Sequence, residues 1–378
     1  MNMKEIGEIR RRVRRDRSNM MAIYGCYVNG QKQIISEFKQ STGIMPENEA
    51  EKYFGLMKRA LSGTIGKNLL DITFRTEQVM KSPEHKLLMD LRATKLQESQ
   101  YRQDLYKKII DTITLDDSFL ILLGCDSYDV PFKSKDDETQ TDASGDVFTY
   151  VLCAVCPVKE AKPTLRYIAE NKEFHDGGLA QIATAPEMGF MFPSFDDRAT
   201  NIYNALFYTH SPKVGHDAMI EALFGAIAPK CAFEQKKTFE ALLTTSLGED
   251  CSLDAVQCVH DNMRQRMLMH KESRIPEPLL INKEQVRQAL EESGVGEKGI
   301  AKFSVDFDQV FGHDAQLHPT NIINHRKVEI KTPDVTITVN PERSDLVETR
   351  VIDGVKYILI CADENVEVNG VNIQINDK

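Results

Sequence analysis

Apolar side chains recur along this chain with two incompatible spacings, and their alternation excludes both an all-helical and an all-β fold. Ile6, Ile9 and Val13 fall at i, i+3 and i+7, the stripe of an amphipathic helix over residues 3–17. Residues 21–27 and 33–38 then flank Asn29-Gly30, a dipeptide suited to the positive φ of a tight turn, and predict a β-hairpin. Helical spacing returns over 47–61, 69–74 reads as a strand, 83–113 as two helices and 119–125 as a buried strand. Residues 147–155 and 164–169 are strand-like. Ala199, Ile202, Tyr203 and Leu206 are spaced for a helix, and further helices are expected over 217–227, 233–243 and 253–271. Pro276 and Pro278 interrupt that pattern, after which Asn282 can cap a helix over 283–292. From Lys327 the period becomes two: Val335, Ile337 and Val339 alternate with threonines, and Asp353-Gly354 and Asn369-Gly370 supply hairpin turns. The fold class is therefore α+β, with two α+β regions, a helical connector and a small C-terminal antiparallel β unit.

At 378 residues the chain is too long for one ordinary core. Residues 131–146, polar and acidic without apolar periodicity, mark a surface loop or boundary, and residues 273–281 mark a linker. The resulting division is a basic amphipathic helix over 1–20, α+β regions over 21–135 and 146–272, a connector over 282–312 and a β-hairpin unit over 326–378.

No apolar run approaches the roughly 20 residues that cross a bilayer, so no membrane partner is expected. The stretch 18–30 is broken by Asn19, Gly25, Asn29 and Gly30 and does not form a signal core. Eight dispersed cysteines lack the density of a disulfide scaffold and suit a reducing, cytoplasmic setting. The net charge of −10 argues against wholesale coating of nucleic acid. Residues 1–17 nevertheless carry seven basic and three acidic side chains, leaving −14 on the rest.

Several motifs bear chemistry, each beside a plainer reading. Cys153 and Cys156 have the spacing of zinc knuckles and redox pairs, yet side chains three apart on a strand point to opposite faces. Ser62 to Asn68, SGTIGKN, resembles a phosphate loop but follows a helix and precedes a strand, the reverse of the phosphate-loop order, and reads as a connector with Gly63 as a left-handed cap. Four histidines precede aspartate, at His175, His216, His260 and His313, as in metal-dependent phosphohydrolases. His260 shares a stripe with Val256, Met263 and Met267 and reads as core. His313, His318 and His325 could converge on a metal or lie exposed in a loop. No metal site and no cofactor are expected. The catalytic candidates are Asp196, Asp197, Arg198 and Asn201, which set acceptors beside a bidentate donor where a helix is expected to begin; either acid can also be its cap. The nucleic-acid-binding candidates are Arg10, Arg11, Arg14 and Arg15 on the N-terminal helix, whose guanidiniums could displace counterions from a polyanion or pair with the acidic body.

Taken together, EIRRR near Glu8, GCYV at Gly25, SGTIGKNLLDI at Ser62, FPSFDDRATNIYNALFY at Phe192 and NPERSDLVETRVIDG at Asn340 resemble the bacterial family catalogued as domain of unknown function 4317. The resemblance spans nearly the whole chain and implies a bacterial cytoplasmic protein; it brings no catalytic residues with it. Three functions are expected to compete: a non-enzymatic binder of RNA or a ribosome surface, a metal-dependent hydrolase of a phosphorylated small molecule or nucleotide, and a scaffold for a protein partner. Oligomeric state leaves no trace in the sequence.

Overall fold

Asn2 opens the first helix: its Oδ1 accepts from the amides of Lys4 and Glu5, and the Glu5 carboxylate accepts from the Asn2 amide. This capping box gives partners to amides that a helix start otherwise leaves unpaired. The computed structural model describes residues 1–133, 139–161, 165–176, 180–273, 278–324, 327–362, 366–368 and 370–374. Two compact units emerge, one built on Met1–Phe233 and the other on Glu234–Ile275 and Leu279–Lys378.

In the first unit, helix α1 (Met3–Arg12) is followed by strands β1 (Ala22–Val28) and β2 (Ile34–Ser41), helix α2 (Glu47–Arg59) and strand β3 (Leu69–Thr73). Helices α3 (Thr76–Lys81), α4 (Pro83–Ala93) and α5 (Ser99–Thr112) come next, then the long strands β4 (Phe119–Lys133) and β5 (Thr139–Glu160). Short strands β6 (Leu165–Ile168), β7 (Glu173–Asp176) and β8 (Gln181–Ala183) lead to β9 (Met188–Phe192), β10 (Ser194–Asp196), β11 (Ala199–Asn201), β12 (Asn204–Thr209) and helix α6 (Asp217–Phe224). The main sheet runs β2-β1-β4-β5-β9-β12-β3, with β8 added to β5, and its ladders are antiparallel.

Both faces of this sheet are covered, which explains the unbroken apolar run of β5. Val151, Cys153 and Val155 enter a core with Leu88, Leu105, Ile109 and Leu223 of α4, α5 and α6. Tyr150, Leu152, Ala154 and Cys156 enter the opposite core, with Ile6, Ile9, Phe54 and Met57 of α1 and α2. Burial of each large apolar side chain stabilises by about 1.5–3 kcal/mol. α2 comes so near the sheet that a Cβ on Gly189 would lie 3.0 Å from the Ala60 side chain.

Three expectations need correction. The stretch 131–146 is no boundary: β4 and β5 continue into it from both sides and pair as far as Lys133↔Thr139, so one sheet joins the regions expected to be separate. The expected helix through Ala199 and Leu206 is instead a β10–β11 hairpin followed by β12. Asp197 and Arg198, both left-handed at φ 48° and 60°, turn that hairpin, and β12 is claimed on both sides by β9 and β3. Finally, α1 stops at Arg12 because Val13 leaves helical geometry, at ψ 73°, to bury its side chain completely.

In the second unit, α7 (Ala232–Leu247), α8 (Leu253–Ser273), α9 (Lys283–Glu292) and α10 (Glu297–Phe311) form a helical core around Phe239, Val259, Leu290, Phe303 and Phe307, joined by the short α11 (Pro319–Ile322). Asn282 caps α9 as expected, accepting from the Gln285 amide. Three separate hairpins follow, β13 (Val328–Lys331) with β14 (Thr336–Val339), β15 (Val347–Ile352) with β16 (Val355–Ile360), and β17 (Val366–Val368) with β18 (Val371–Ile373). Asp353 and Gly354, at φ 50° and 80°, make the expected turn, and Val368 pairs with Val371 at the other, where Asn369 lies outside the described residues.

His260 on α8 carries a pH dependence of definite sign. Burial, with Arg264 and Lys236 nearby, pushes its imidazole down to about 4. The folded state therefore keeps it neutral, so its stabilising contribution is present above pH 6.5 and is lost as pH falls from there toward 4. Asp261, raised by burial against the pull of Arg264, acts in the opposite sense, so the histidine is isolated by comparing variants. Between pH 7 and 4.5 the wild type should lose about 2 kcal/mol more stability than His260→Leu. Urea midpoints for the second unit's transition measure this, and parallel pH profiles would refute it.

Candidate functional site

The hairpin that carries Asp196, Asp197, Arg198 and Asn201 lies against α1. Arg198 donates through Nη1 to both carboxylate oxygens of Glu8, 2.7 Å to Oε1, and through Nη2 to the Pro131 carbonyl at 2.9 Å. Tyr128 donates to the same Glu8 oxygen at 2.6 Å, and its phenol is pushed up to about 12 by burial and by that carboxylate. The Arg12 guanidinium stacks on the Tyr128 ring, 4.1 Å from its centroid, with Nε 3.9 Å from Asp126. Asp126 is fully buried and accepts from the amides of Asn19 and Ser127 and from the Tyr150 hydroxyl, at 2.6, 3.0 and 3.0 Å. A polar chain thus runs from the hairpin through α1 into the core.

Asp196 accepts from Asn201 Nδ2 at 2.6 Å and pairs with the Met1 amino group. Asp197 is exposed at the hairpin tip. The four candidates therefore do not converge on an open pocket: Asp196, Arg198 and Asn201 hold α1 and the hairpin together, and neither acid is a helix cap. Nothing in the local sequence identifies Glu8 as the partner of Arg198.

The arginines of the N-terminal segment divide into two groups. Arg12 is committed to Tyr128 and Asp126, and Arg14 and Arg17 lie 3.0 and 3.9 Å from Asp16. Arg10, Arg11 and Arg15 make no ion pair among the described residues, and Arg11, Arg14 and Arg15 are exposed. A groove of about 840 Å³ is lined by Arg14, Arg15 and Lys58 together with Asp16, Glu47 and Glu51.

The family model described as Domain of unknown function (DUF4317) matches residues 1–371 of the chain. The chain belongs to the DUF4317 family. No curated protein and no solved structure matches it.

The remaining motifs of this DUF4317 chain are placed as follows. Cys153 and Cys156 occupy the two cores on opposite faces of β5, and burial pushes both thiols up, that of Cys156 to about 12. The SGTIGKN segment connects α2 to β3; Gly63, at φ 106°, lies three residues beyond the helix cap at Ala60, and Asn68 donates to the Thr209 and His210 carbonyls. His216 is buried with Nε2 3.1 Å from Thr209 Oγ1, and burial lowers its pKa. His175 stands beside Glu173 on an exposed strand, and His313 lies 3.3 Å from Asp308. His318 is lowered by burial, while His325 lies outside the described residues. Among the described residues, no three His, Cys, Asp or Glu side chains are placed to hold a metal ion, and no helix is long and apolar enough to cross a membrane.

Sequence reasoning missed a second concavity of this DUF4317 fold. A groove of about 760 Å³ opens between the β2 edge of the sheet and the α4–α5 connection, lined by Lys39 from the first and Lys95 from the second. These lysines lie far apart in the chain, and neither belongs to a motif.

Proposed function

We propose that this protein is a non-enzymatic binder of a polyanion, RNA or a ribosome surface, which it contacts through Arg10, Arg11, Arg14 and Arg15. One observation carries the reading: Arg10, Arg11 and Arg15 form no ion pair among the described residues, although the rest of the chain has a charge of −14 to offer them. Guanidiniums left in water at the end of α1 can release counterions from phosphates. The mixed charge of the adjoining groove confines the contact to the arginine rim, consistent with a local footprint on an acidic protein.

The hydrolase alternative lacks comparable support, because Asp196 is engaged by Asn201 and by the Met1 amino group and Asp197 is exposed at a hairpin tip. A protein-scaffold role has one favouring feature, the exposed Val351, Val355, Val371 and Ile373 of the C-terminal hairpins.

Filter binding of single-stranded RNA at two salt concentrations tests the proposal. Each neutralised phosphate adds about 0.7 to the slope of log affinity against log salt for single strands. Replacing Arg10, Arg11, Arg14 and Arg15 together by Gln should flatten the slope by about 3 and leave the urea midpoint nearly unchanged, since exposed ion pairs contribute about 0–1 kcal/mol. Unchanged slopes, or no RNA binding at low salt, would remove the reading.

A further inference from the structure

The groove between the sheet edge and the α4–α5 connection has a charge opposite to that of the molecule. On a chain of net charge −10, no aspartate or glutamate lines it among the described residues, while Lys39 and Lys95 do. Neither lysine makes an ion pair among the described residues, and both are exposed. A smaller recess of about 250 Å³ shares Tyr24, Lys39 and Gln97 with it and contains Glu37.

Its cationic wall is held in place from below. Lys95 and Leu96 are consecutive left-handed residues, at φ 49° and 62°, a conformation that costs a residue with a Cβ about 1–2 kcal/mol. Two anchors hold it: Leu96 is completely buried, and Arg102 donates through Nη1 to the Leu96 and Gln97 carbonyls, 2.9 Å to the latter. Arg102 in turn stacks on the Tyr24 ring, 4.3 Å from its centroid, and the Lys39 ammonium sits 5.6 Å from the same centroid. Ser41 and Gly43 also line the groove. Strained backbone of this kind, over-determined by its surroundings, is concentrated at ligand clamps.

We propose that this groove binds a small phosphate-bearing molecule, with Lys39 and Lys95 contacting the phosphate oxygens and Ser41 adding a neutral hydrogen bond. The volume suits a ligand the size of a mononucleotide. A dianionic phosphate matches two ammonium groups that the protein leaves unpaired, and lysine serves such an anion as a point charge. Arg102 is a positioning residue: its carbonyl partner Gln97 and its ring partner Tyr24 line the groove, and its other carbonyl partner, Leu96, follows Lys95 in the chain. The site is separate from the arginines of residues 10–15 and does not depend on polyanion binding.

Isothermal titration of the full chain with inorganic phosphate, AMP and succinate tests this. Saturable binding of phosphate or AMP is expected, weakened about tenfold by Lys39→Gln or by Lys95→Asn and abolished by both together. Asparagine tolerates the left-handed backbone at position 95, so the second variant removes charge without adding strain. The variant combining Arg10→Gln, Arg11→Gln, Arg14→Gln and Arg15→Gln should bind AMP as the wild type does, whatever its affinity for RNA. No saturable binding of phosphate or AMP, equal binding by the double variant, or preference for succinate would overturn the proposal.

Discussion

Replacing Asp126 by alanine should destabilise the first unit by about 3–5 kcal/mol, the range for breaking a buried, hydrogen-bonded charge network. The carboxylate is fully buried and accepts from two amides and the Tyr150 hydroxyl, and its removal leaves the Asn19 amide and that hydroxyl without their acceptor. It also takes away the charge facing Arg12, whose Nε is buried and has no hydrogen-bond partner among the described residues. Burial raises the pKa of Asp126, against the pull of Arg12 and its hydrogen bonds. The carboxyl therefore contributes most when protonated, below its unfolded pKa of about 4, and that advantage is lost as pH rises through the raised folded value. Asp126→Asn, which keeps an acceptor and drops the charge, should cost clearly less than Asp126→Ala at pH 7. Urea midpoints at pH 7 for the two variants decide the matter, and equal losses would show that the charge, not the acceptor, holds Asn19 and Tyr150.

The second large effect is expected from Gly189→Ala, a change of a single methyl group. The added Cβ would lie 2.3 Å from the Cys153 carbonyl oxygen, 3.0 Å from the Ala60 Cβ and 3.3 Å from the Ala154 Cα. Two of these neighbours are backbone of the adjacent strand β5, which is paired on both sides and has no rotamer through which to yield. Overpacking of a filled core costs about 1–3 kcal/mol, and the upper end is appropriate where backbone must move. The Ala60 contact offers a second measurement: Ala60→Gly in the Gly189→Ala background should restore little, because the carbonyl clash remains. A midpoint within about 0.5 kcal/mol of wild type would mean that β5 and β9 can separate locally without loss.

Much of the fold was legible wherever local chemistry decides it. Asn282 marks the start of α9 because its side chain supplies the cap itself, and Asp353-Gly354 marks a hairpin because both residues tolerate positive φ. The helix expected at Ala199 to Leu206 failed for the complementary reason. Its turn is made by Asp197 and Arg198, a pair with no hairpin preference as strong as Asn-Gly, and β12 is a strand because β9 and β3 demand one. Tertiary pairing overrode a spacing that fits either period. Candidate sites were less legible still. Arg198 reads as a donor without a partner until α1 brings Glu8 to it, and Lys39 and Lys95 face one groove only once α4 and α5 have packed on the sheet.

The strand order has a consequence for how this chain is made. Among the described residues, the edge strand β3, residues 69–73, pairs in the main sheet with β12 alone, residues 204–209. During synthesis the apolar Leu69, Leu70 and Ile72 therefore leave the exit tunnel long before anything can pair with them, while β1 and β2 can zip together at once. Closing so long a loop is slow, and an unpaired apolar edge invites association with other chains in the interval. A nascent chain halted before residue 204 should thus be the species most in need of a holding chaperone, and one released beyond residue 209 the first able to close its sheet.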